Sequence, residues 1–199
     1  MKLVVRFAQN QDLPEIKRQI DEYISPDYFS IDYLEKLLQS ERTLFYVVTD
    51  ADRGDTIVSY FYAYISTLEE AIEDLHAREI PRPLLGYPPE TLVGVYKTSS
   101  TVKDYRKKGI CSSFIRDLEP VFRERGAKMI LATAMRSPAG VVPMQHIFHA
   151  NGFTAIAELI RPWENLDLNC IYCGRHHCIC DAVFYAKHLD EKKDGDFSE

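Results

Sequence analysis

The chain has 199 residues, of which 46% are hydrophobic, and its formal net charge at pH 7 is −6. This length and apolar content suffice for one sizeable core, so we expect a single domain. The acidic balance argues against a general nucleic-acid binder, and no apolar run approaches the roughly 18 residues of a membrane span. The opening residues, MKLVVRFAQNQD, lack the apolar segment of a signal peptide. We therefore expect a cytoplasmic protein with no nucleic-acid or membrane partner, in a compartment where thiols stay reduced.

The first third of the chain alternates between strand-like and helix-like segments. A strand rich in β-branched residues is predicted over 3–8. Two amphipathic helices follow, and Asp12 is the candidate N-cap of the first. Two more strands are predicted over 43–50 and 56–67, and the ADRGD segment between them predicts a hairpin.

Residues 68–90 interrupt this alternation with an acidic helical segment and then a proline-rich segment. Beyond them, apolar periodicity predicts helices over 109–125 and 141–153, and Pro120 is expected to kink or divide the first of these. Four further strands are predicted, over 91–102, 126–135, 154–163 and 181–189. The order of elements indicates one α/β domain.

The segment TVKDYRKKGICSSFI, residues 101–115, joins a strand, a basic loop and the start of an amphipathic helix. Free N–H groups at a helix start, the helix dipole and a glycine that permits close approach together form an anion site. The loop also carries three basic residues, Arg106, Lys107 and Lys108. The alternative is a solvated basic turn before an ordinary surface helix, because strand–loop–helix units are common.

Within this segment, YRKKGIC resembles the R/Q-x-x-G-x-G/A acetyl-coenzyme A signature of the GNAT acetyltransferase superfamily. FHANGFTAIAEL resembles the closing Y-x-x-x-GF segment of that family, and VVRFAQNQDLPEI resembles its first strand and helix. The resemblance therefore covers nearly the whole chain. It implies an α/β fold of the α+β type, with a central mixed, mostly antiparallel, V-splayed sheet flanked by helices. It also implies direct transfer of an acetyl group from acetyl-CoA to a primary amine of a small molecule or peptide, through a ternary complex.

The resemblance also assigns the residues that bind acetyl-CoA. Ser99, Ser100 and Thr101 would follow the pantetheine arm with their backbone, and one of their N–H groups would polarise the thioester carbonyl. The loop and the helix start would hold the pyrophosphate through Arg106, Lys107, Lys108, Gly109, Ile110, Cys111 and Ser112.

The chain departs from the family pattern at three positions. Cys111 replaces the usual glycine or alanine, and we interpret it as a packed thiol rather than a nucleophile. Val141 stands where many members have an asparagine. Phe148 occupies the position of the tyrosine that protonates the departing thiolate, and it has no hydroxyl. His146 and His149 are the nearby candidate substitutes for this acid, and for each the competing interpretation is a surface helix histidine. Coenzyme A thiolate can also leave with water as the proton source.

The general base is predicted among the carboxylates. Glu90 lies at the entry of the strand that leads to the cofactor loop, and it is our catalytic candidate. Glu158 and the carboxylates of residues 69–79 are alternatives, and for each the competing interpretation is a solvated surface charge. Clustered carboxylates in the inserted segment also predict a cationic acceptor, such as a polyamine, an amino sugar or a basic peptide.

The segment NCIYCGRHHCIC holds four of the five cysteines of the chain. A C-x2-C pair followed by a C-x-C pair predicts a closed tetrahedral site, which suits structural zinc. The predicted ligands are Cys170, Cys173, Cys178 and Cys180. His176 or His177 can replace one thiolate, and an iron–sulfur cluster, disulfides or free thiols are the alternatives. Because two predicted strands flank the cluster, a metal there would staple a hairpin loop.

These observations predict one domain over residues 1–189, with a Cys-rich loop at 165–181 and a flexible charged tail at 190–199. The predicted function is an acetyl-CoA-dependent N-acetyltransferase with a structural zinc. The competing hypothesis is a non-catalytic module on the same fold that binds acyl-CoA or a protein partner. The sequence leaves the acceptor open, as well as the choice between a monomer and a homodimer.

Overall fold

The computed structural model describes residues 1–26 and 28–189. Over these residues seven strands form one sheet: β1 (Leu3–Phe7), β2 (Thr43–Asp50), β3 (Thr56–Thr67), β4 (Leu92–Thr101), β5 (Met129–Arg136), β6 (Thr154–Leu159) and β7 (Asp181–His188). Five α-helices accompany them: α1 (Leu13–Tyr23), α2 (Ile31–Gln39), α3 (Leu68–Asp74), α4 (Ile110–Glu124) and α5 (Gln145–Ala150). All seven predicted strands are present. The tail predicted at 190–199 lies outside the described residues, and no helix within them is long and apolar enough to cross a membrane.

The sheet has the order β1-β2-β3-β4-β5-β7-β6, and only the β4–β5 pair is parallel. β4 and β5 pair only where Gly94–Tyr96 lies beside Ile130–Ala132. Beyond Tyr96 the two strands have no ladder pairs, so the sheet opens into a V. β4 also contains a bulge, because Tyr62 pairs with Thr98 while Ala63 pairs with Tyr96. The predicted mixed, mostly antiparallel and V-splayed sheet is confirmed.

Helices cover both faces of the sheet, which explains why β3 is apolar almost throughout. Tyr60 and Phe61 are adjacent and both fully buried, but they face opposite sides of the pleat. On one side the rings of Phe61 and Phe114 of α4 stack with their centres 3.9 Å apart. On the other side Tyr60 packs with Ile16 and Ile20 of α1. Each such buried side chain contributes about 2 kcal/mol relative to exposure.

Two sequence expectations about the helices need adjustment. Asp12 does precede α1, but its carboxylate does not cap the helix. It accepts two bonds from the Arg6 guanidinium, at 2.6 and 2.8 Å, because the strand β1 places that cation beside it. Pro120 lies inside α4, and the helix is not divided there but runs continuously over Ile110–Glu124.

α3 belongs to the insertion between β3 and β4. It begins with a capping box in which Thr67 and Glu70 each accept from the backbone N–H of the other, both at 3.3 Å. After α3 the chain turns at His76, whose φ of 57° is left-handed. The insertion packs on the apolar face of β4 and β5 through Leu68, Ile72 and Leu75, so the turn that follows α3 lies close to the splay.

Gly94 of β4 lies against the buried ring of Phe122 in α4. A Cβ added at Gly94 would lie 2.5 Å from Phe122 Cδ1, whereas one added at Gly86 would meet no atom within 4 Å. We expect Gly94→Ala to lower the free energy of unfolding by about 2 kcal/mol, because the added methyl group would clash with a ring that is only 1% exposed. Gly86→Ala should change it by less than about 0.5 kcal/mol. Urea denaturation of both variants tests this, and equal stabilities would contradict the close packing of α4 on β4.

Candidate active site

The open edge of β4 is the first component of the site. Beyond Tyr96, β5 no longer pairs with it, so the backbone groups of Ser99 and Thr101 on that edge are not used in the sheet. The side chains of Ser100 and Thr101 make contacts within the protein. Ser100 is buried and its Oγ donates to Gln19 Oε1 of α1 at 2.7 Å, while Thr101 Oγ1 lies 2.9 Å from Ser59 Oγ of β3. These contacts fix the strand, which leaves its backbone as the surface offered to a ligand.

The basic loop is the second component, and it follows β4 directly. Its three basic side chains are exposed: Arg106, Lys107 and Lys108. Arg106 Nε donates to Thr101 O at 2.8 Å, and its guanidinium lies 4.8 Å from the ring centre of Tyr23. Arg106 therefore braces the loop against β4 and α1, while the two lysines supply free positive charge. Gly109 has a φ of 80°, and a Cβ there would meet open space, so solvent or a ligand can approach its backbone.

The first turn of α4 completes this part of the site. Ile110, Cys111 and Ser112 lie in that turn, where backbone N–H groups have no helical acceptor. Cys111 is packed beneath them, and its Sγ is 3.5 Å from the hydroxyl of Tyr96. Burial raises the pKa of the Cys111 thiol, which fits a packed thiol and not a nucleophile. Asn151 Nδ2 donates to Ser112 Oγ at 3.1 Å and ties α5 to this helix start.

A cavity of about 260 Å³ occupies the splay next to Ser99. Four segments that are distant in sequence form its walls together with β4: the α1–α2 connection, the turn after α3, β5 with α5, and the Cys-rich loop. Its aromatic and ionisable lining consists of Tyr23, Tyr28, His76, Tyr96, Lys97, Phe148, Trp163, Cys170, Tyr172 and Cys178. The lining contributed by the described residues contains no carboxylate. The cavity is thus an aromatic chamber with a few polar groups.

The Cys-rich loop between β6 and β7 brings four thiols together. The Sγ atoms of Cys170, Cys173, Cys178 and Cys180 all lie within 4.8 Å of one another, and those of Cys170 and Cys180 are 3.9 Å apart. A tetrahedral zinc with Zn–S bonds of about 2.3 Å needs sulfur atoms spaced by about 3.8 Å. Gly174, with a φ of 67°, donates its N–H to Cys170 O at 2.9 Å and closes the first knuckle. The donor set and its spacing fit zinc.

The loop affects the four thiols unequally. Burial opposes ionisation of Cys173, but backbone N–H groups of Ile179 and Arg175 lower the pKa of Cys173 to about 7. Burial and then the contacts with neighbouring thiols raise the pKa of Cys178 to about 12. One thiolate is therefore stabilised by the loop itself, while several thiolates in so small a volume need a cation.

No protein-family model matches the sequence, and no curated protein does. Solved structures match it over nearly its full length. Arabidopsis thaliana NAA60 in complex with a bisubstrate analogue has a TM-score of 0.69 at 17% identity, covering 94% of this chain and 98% of that chain. A chain of the NatC complex bound to Gag peptide and CoA has a TM-score of 0.67 at 15% identity, covering 96% and 100%. The ribosomal-protein-S18-alanine N-acetyltransferase from Escherichia coli has 0.62 at 14% identity, covering 99% and 100%.

The chain has the GNAT fold. Within that fold, the predicted acetyl-CoA residues follow one another along the chain from the end of β4, through the basic loop, to the first turn of α4. Phe148 lies on the cavity wall, only 1% exposed, with its ring perpendicular to that of Tyr96. Burial raises the pKa of the Tyr96 phenol well above its ordinary value, so this neighbour of Phe148 stays protonated. The sequence did not indicate Tyr96, because its proximity to Phe148 depends on the packing of α5.

The two catalytic candidates named from the sequence do not line the cavity. Glu90 is exposed in the turn that precedes β4. His149 is exposed on α5, where its ring packs on Tyr185 with a centre-to-centre distance of 5.8 Å. The alternative base Glu158 forms a salt bridge with Arg136 at 2.7 Å. Neither Glu90 nor His149 contacts the cavity, and their catalytic roles stay predictions.

A buried ion pair was missed by the sequence reasoning. Lys97 occupies the β4 bulge, and its side chain is 6% exposed. Its Nζ lies 2.9 Å from Asp74 Oδ2 and donates to Asp74 O at 2.7 Å. Burial works against the charge, but Tyr28 and Asp74 raise the pKa of Lys97, so it stays cationic. Tyr64 donates its hydroxyl to the same Asp74 carboxylate. The pair anchors the end of α3 to the cavity wall.

The carboxylates of α3, from which a cationic acceptor was predicted, do not line the cavity. Asp74 is neutralised by Lys97, and Glu70 is engaged in the capping box and lies 3.1 Å from Arg42. Glu69 and Glu73 are exposed on the outer face of the insertion. Any attraction that these carboxylates exert on a cationic acceptor therefore acts during approach and not inside the chamber.

Proposed function

We propose that this protein is an acetyl-CoA-dependent N-acetyltransferase that moves the acetyl group directly to a primary amine in a ternary complex. One observation carries the proposal: a single strand, β4, joins a basic loop at one end of the splay to an aromatic chamber beside it. The fold is that of solved proteins described as bound to acetyl-CoA, among them NAA60. A donor held along β4 would thus present its thioester at the chamber.

The acetyl-CoA assignment uses the exposed groups of the basic loop and the edge of β4 that β5 does not pair. The first-turn N–H groups of α4, the exposed Lys107 and Lys108, and the open backbone of Gly109 suit a pyrophosphate. The unpaired β4 edge at Ser99 and Thr101 suits the amides of a pantetheine arm, and an N–H there would stabilise the oxyanion of the tetrahedral intermediate.

The acceptor is a peptide or another primary amine. NatC was solved with a peptide and NAA60 with a bisubstrate analogue. In this chain the chamber is lined by aromatic rings and lacks a carboxylate among its described lining residues, which suits an amine attached to an apolar body. The exposed Glu69 and Glu73 would favour the approach of a cationic acceptor.

The four-cysteine cluster is proposed to hold a structural zinc. All four coordination positions would be filled by sulfur, and such closed sites stabilise folds and do not activate water. Because Cys170 and Cys178 also line the chamber, the metal would hold one of its walls in place.

Release of coenzyme A thiol from acetyl-CoA across a panel of amines and short peptides tests the activity. We expect release that depends on both substrates. Binding of acetyl-CoA without turnover on any acceptor would favour the competing function, a non-catalytic acyl-CoA-binding module, which the missing hydroxyl at Phe148 keeps open.

Gly109→Asp tests the cofactor loop. A carboxylate at this position would repel the pyrophosphate, so we expect the Kd of acetyl-CoA to rise by about tenfold or more, which is about 1.4 kcal/mol. Gly109→Asn is the matched control, because asparagine and aspartate tolerate a positive φ similarly and differ in charge. Calorimetric titration measures both. Equal affinities for the two variants would remove this loop from the binding site.

A further inference from the structure

We propose that His76 is the general base that deprotonates the incoming amine. The inference rests on the proposed function and adds a catalytic group to it. His76 belongs to the turn after α3, far in sequence from both the acetyl-CoA loop and the Cys-rich loop. The fold nevertheless places it on the wall of the chamber that Ser99 and Phe148 also line.

Elimination among the lining residues supports this choice. The described residues of the cavity wall include no carboxylate, so the usual acidic bases are missing from it. Lys97 is held as a cation by Asp74, and burial raises the pKa of the Tyr96 phenol, so neither can accept a proton at neutral pH. Burial likewise raises the pKa of the other lining phenols, Tyr23, Tyr28 and Tyr172. Cys170 and Cys178 belong to the four-sulfur cluster. An imidazole is left as the group able to act as a base.

The surroundings of His76 favour the neutral imidazole. Burial lowers the pKa of His76, and the ammonium of Lys97 on β4 lowers it further, while the carboxylate of Asp74 on α3 opposes both effects. Tyr28 also lines the chamber, and burial raises the pKa of its phenol, so it adds no charge. His76 is thus unprotonated at neutral pH and ready to accept a proton.

The backbone at His76 is held in an uncommon conformation. Its φ of 57° lies in the left-handed region, which strains a residue other than glycine. Two contacts keep the turn in place: the His76 N–H donates to Glu73 O at 2.9 Å, and Lys97 Nζ donates to Asp74 O at 2.7 Å. The turn is thus anchored to β4, which holds the backbone of His76 in place beside the cavity.

The proposed step balances as follows. An unprotonated ring nitrogen of His76 takes one proton from the acceptor ammonium, which gives an imidazolium and a free amine. The amine nitrogen attacks the thioester carbonyl carbon, so a C–N bond forms and the tetrahedral intermediate then expels coenzyme A thiolate as the C–S bond breaks. The second nitrogen proton goes to the thiolate, and the imidazolium proton goes to solvent. The products are the amide, coenzyme A thiol and one proton.

His76→Asn removes the base and keeps a residue that tolerates a positive φ. At pH 7 and saturating acetyl-CoA we expect kcat to fall about 100-fold. The deficit should shrink as the pH rises toward the pKa of the acceptor amine, because the free amine then forms without a base. The Kd of acetyl-CoA and the melting temperature should stay close to those of the wild type. His188→Gln, at an exposed position at the end of β7, is the matched control and should keep the wild-type rate.

His76→Gly separates a chemical role from a structural one, because glycine adopts this backbone freely and leaves space for added imidazole. Rescue of kcat by imidazole of at least about tenfold is expected. The base assignment would be overturned if His76→Asn kept the wild-type rate. It would also be overturned if the loss were equal at every pH and imidazole did not rescue His76→Gly. Both outcomes would leave the acetyltransferase proposal intact. A wild-type protein that acetylates no amine would instead overturn the proposed function.

Discussion

Replacing Cys173 by serine is expected to lower the melting temperature by about 10 °C, while the fraction that stays folded keeps most of its turnover. Loss of one of four sulfur ligands weakens a structural zinc, and the free energy of zinc binding is part of the free energy of folding. Cys173 is the member of the cluster suited to this test. It is half-buried and does not line the chamber, whereas Cys170 and Cys178 do.

Native mass spectrometry and differential scanning calorimetry check this prediction together. The wild type should lose the mass of one zinc when treated with a chelator, and its melting temperature should then approach that of Cys173→Ser. Cys111→Ser should retain its zinc, because Cys111 lies in α4, outside the cluster. A wild type without bound metal, or a Cys173→Ser variant as stable as the wild type, would contradict the structural role.

The strands and helices could be predicted from the sequence because their signals are local. The apolar periodicity of α1 and α4 and the β-branched runs of the seven strands are properties of short segments. The differences arose where contacts of the folded chain decide the outcome. Asp12 has a residue type and position that suit an N-cap, but Arg6 of β1 takes its carboxylate. Pro120 was expected to kink or divide α4, and the helix is not divided there.

The site divides in the same way. The acetyl-CoA loop and the four cysteines could be predicted because each lies within about a dozen consecutive residues and has a recognisable spacing. The chamber could not, since Tyr28, His76 and Trp163 meet only after the sheet has formed. Lys97 was equally hidden, because a β-bulge is defined by its register with the partner strand β3. The carboxylates of the inserted segment suggested an acidic acceptor site, but pairing with Lys97 neutralises Asp74.

The ion pair between Lys97 and Asp74 leads to the second large effect. We expect Asp74→Asn to lower the free energy of unfolding by about 2 kcal/mol and Lys97→Met by less than about 1 kcal/mol. The reason is an asymmetry of burial: the Lys97 side chain is 6% exposed and that of Asp74 is 39% exposed. Without its partner, Lys97 keeps the Asp74 carbonyl as acceptor but stays charged in the interior, whereas Asp74 alone keeps solvent and the Tyr64 hydroxyl.

Urea denaturation of the two single variants and the double variant measures this difference. The double variant should be more stable than the sum of the two losses predicts, because neither charge is then left unpaired. Equal losses in the single variants, or strict additivity, would contradict a buried and coupled pair.

The same two variants also test the base assignment from a distance. Lys97 lowers the pKa of His76 and Asp74 raises it, so removal of each charge should move that pKa in opposite directions. In Lys97→Met the pKa of His76 should rise toward its ordinary value, and the rate should begin to fall at a higher pH as the solution is acidified. In Asp74→Asn the pKa should decrease, and the rate should persist to a lower pH. Shifts of opposite sign in the acidic limb of the pH–rate profile would require a titrating group that both charges face. Glu90 and His149, the two candidates predicted from the sequence, do not line this wall.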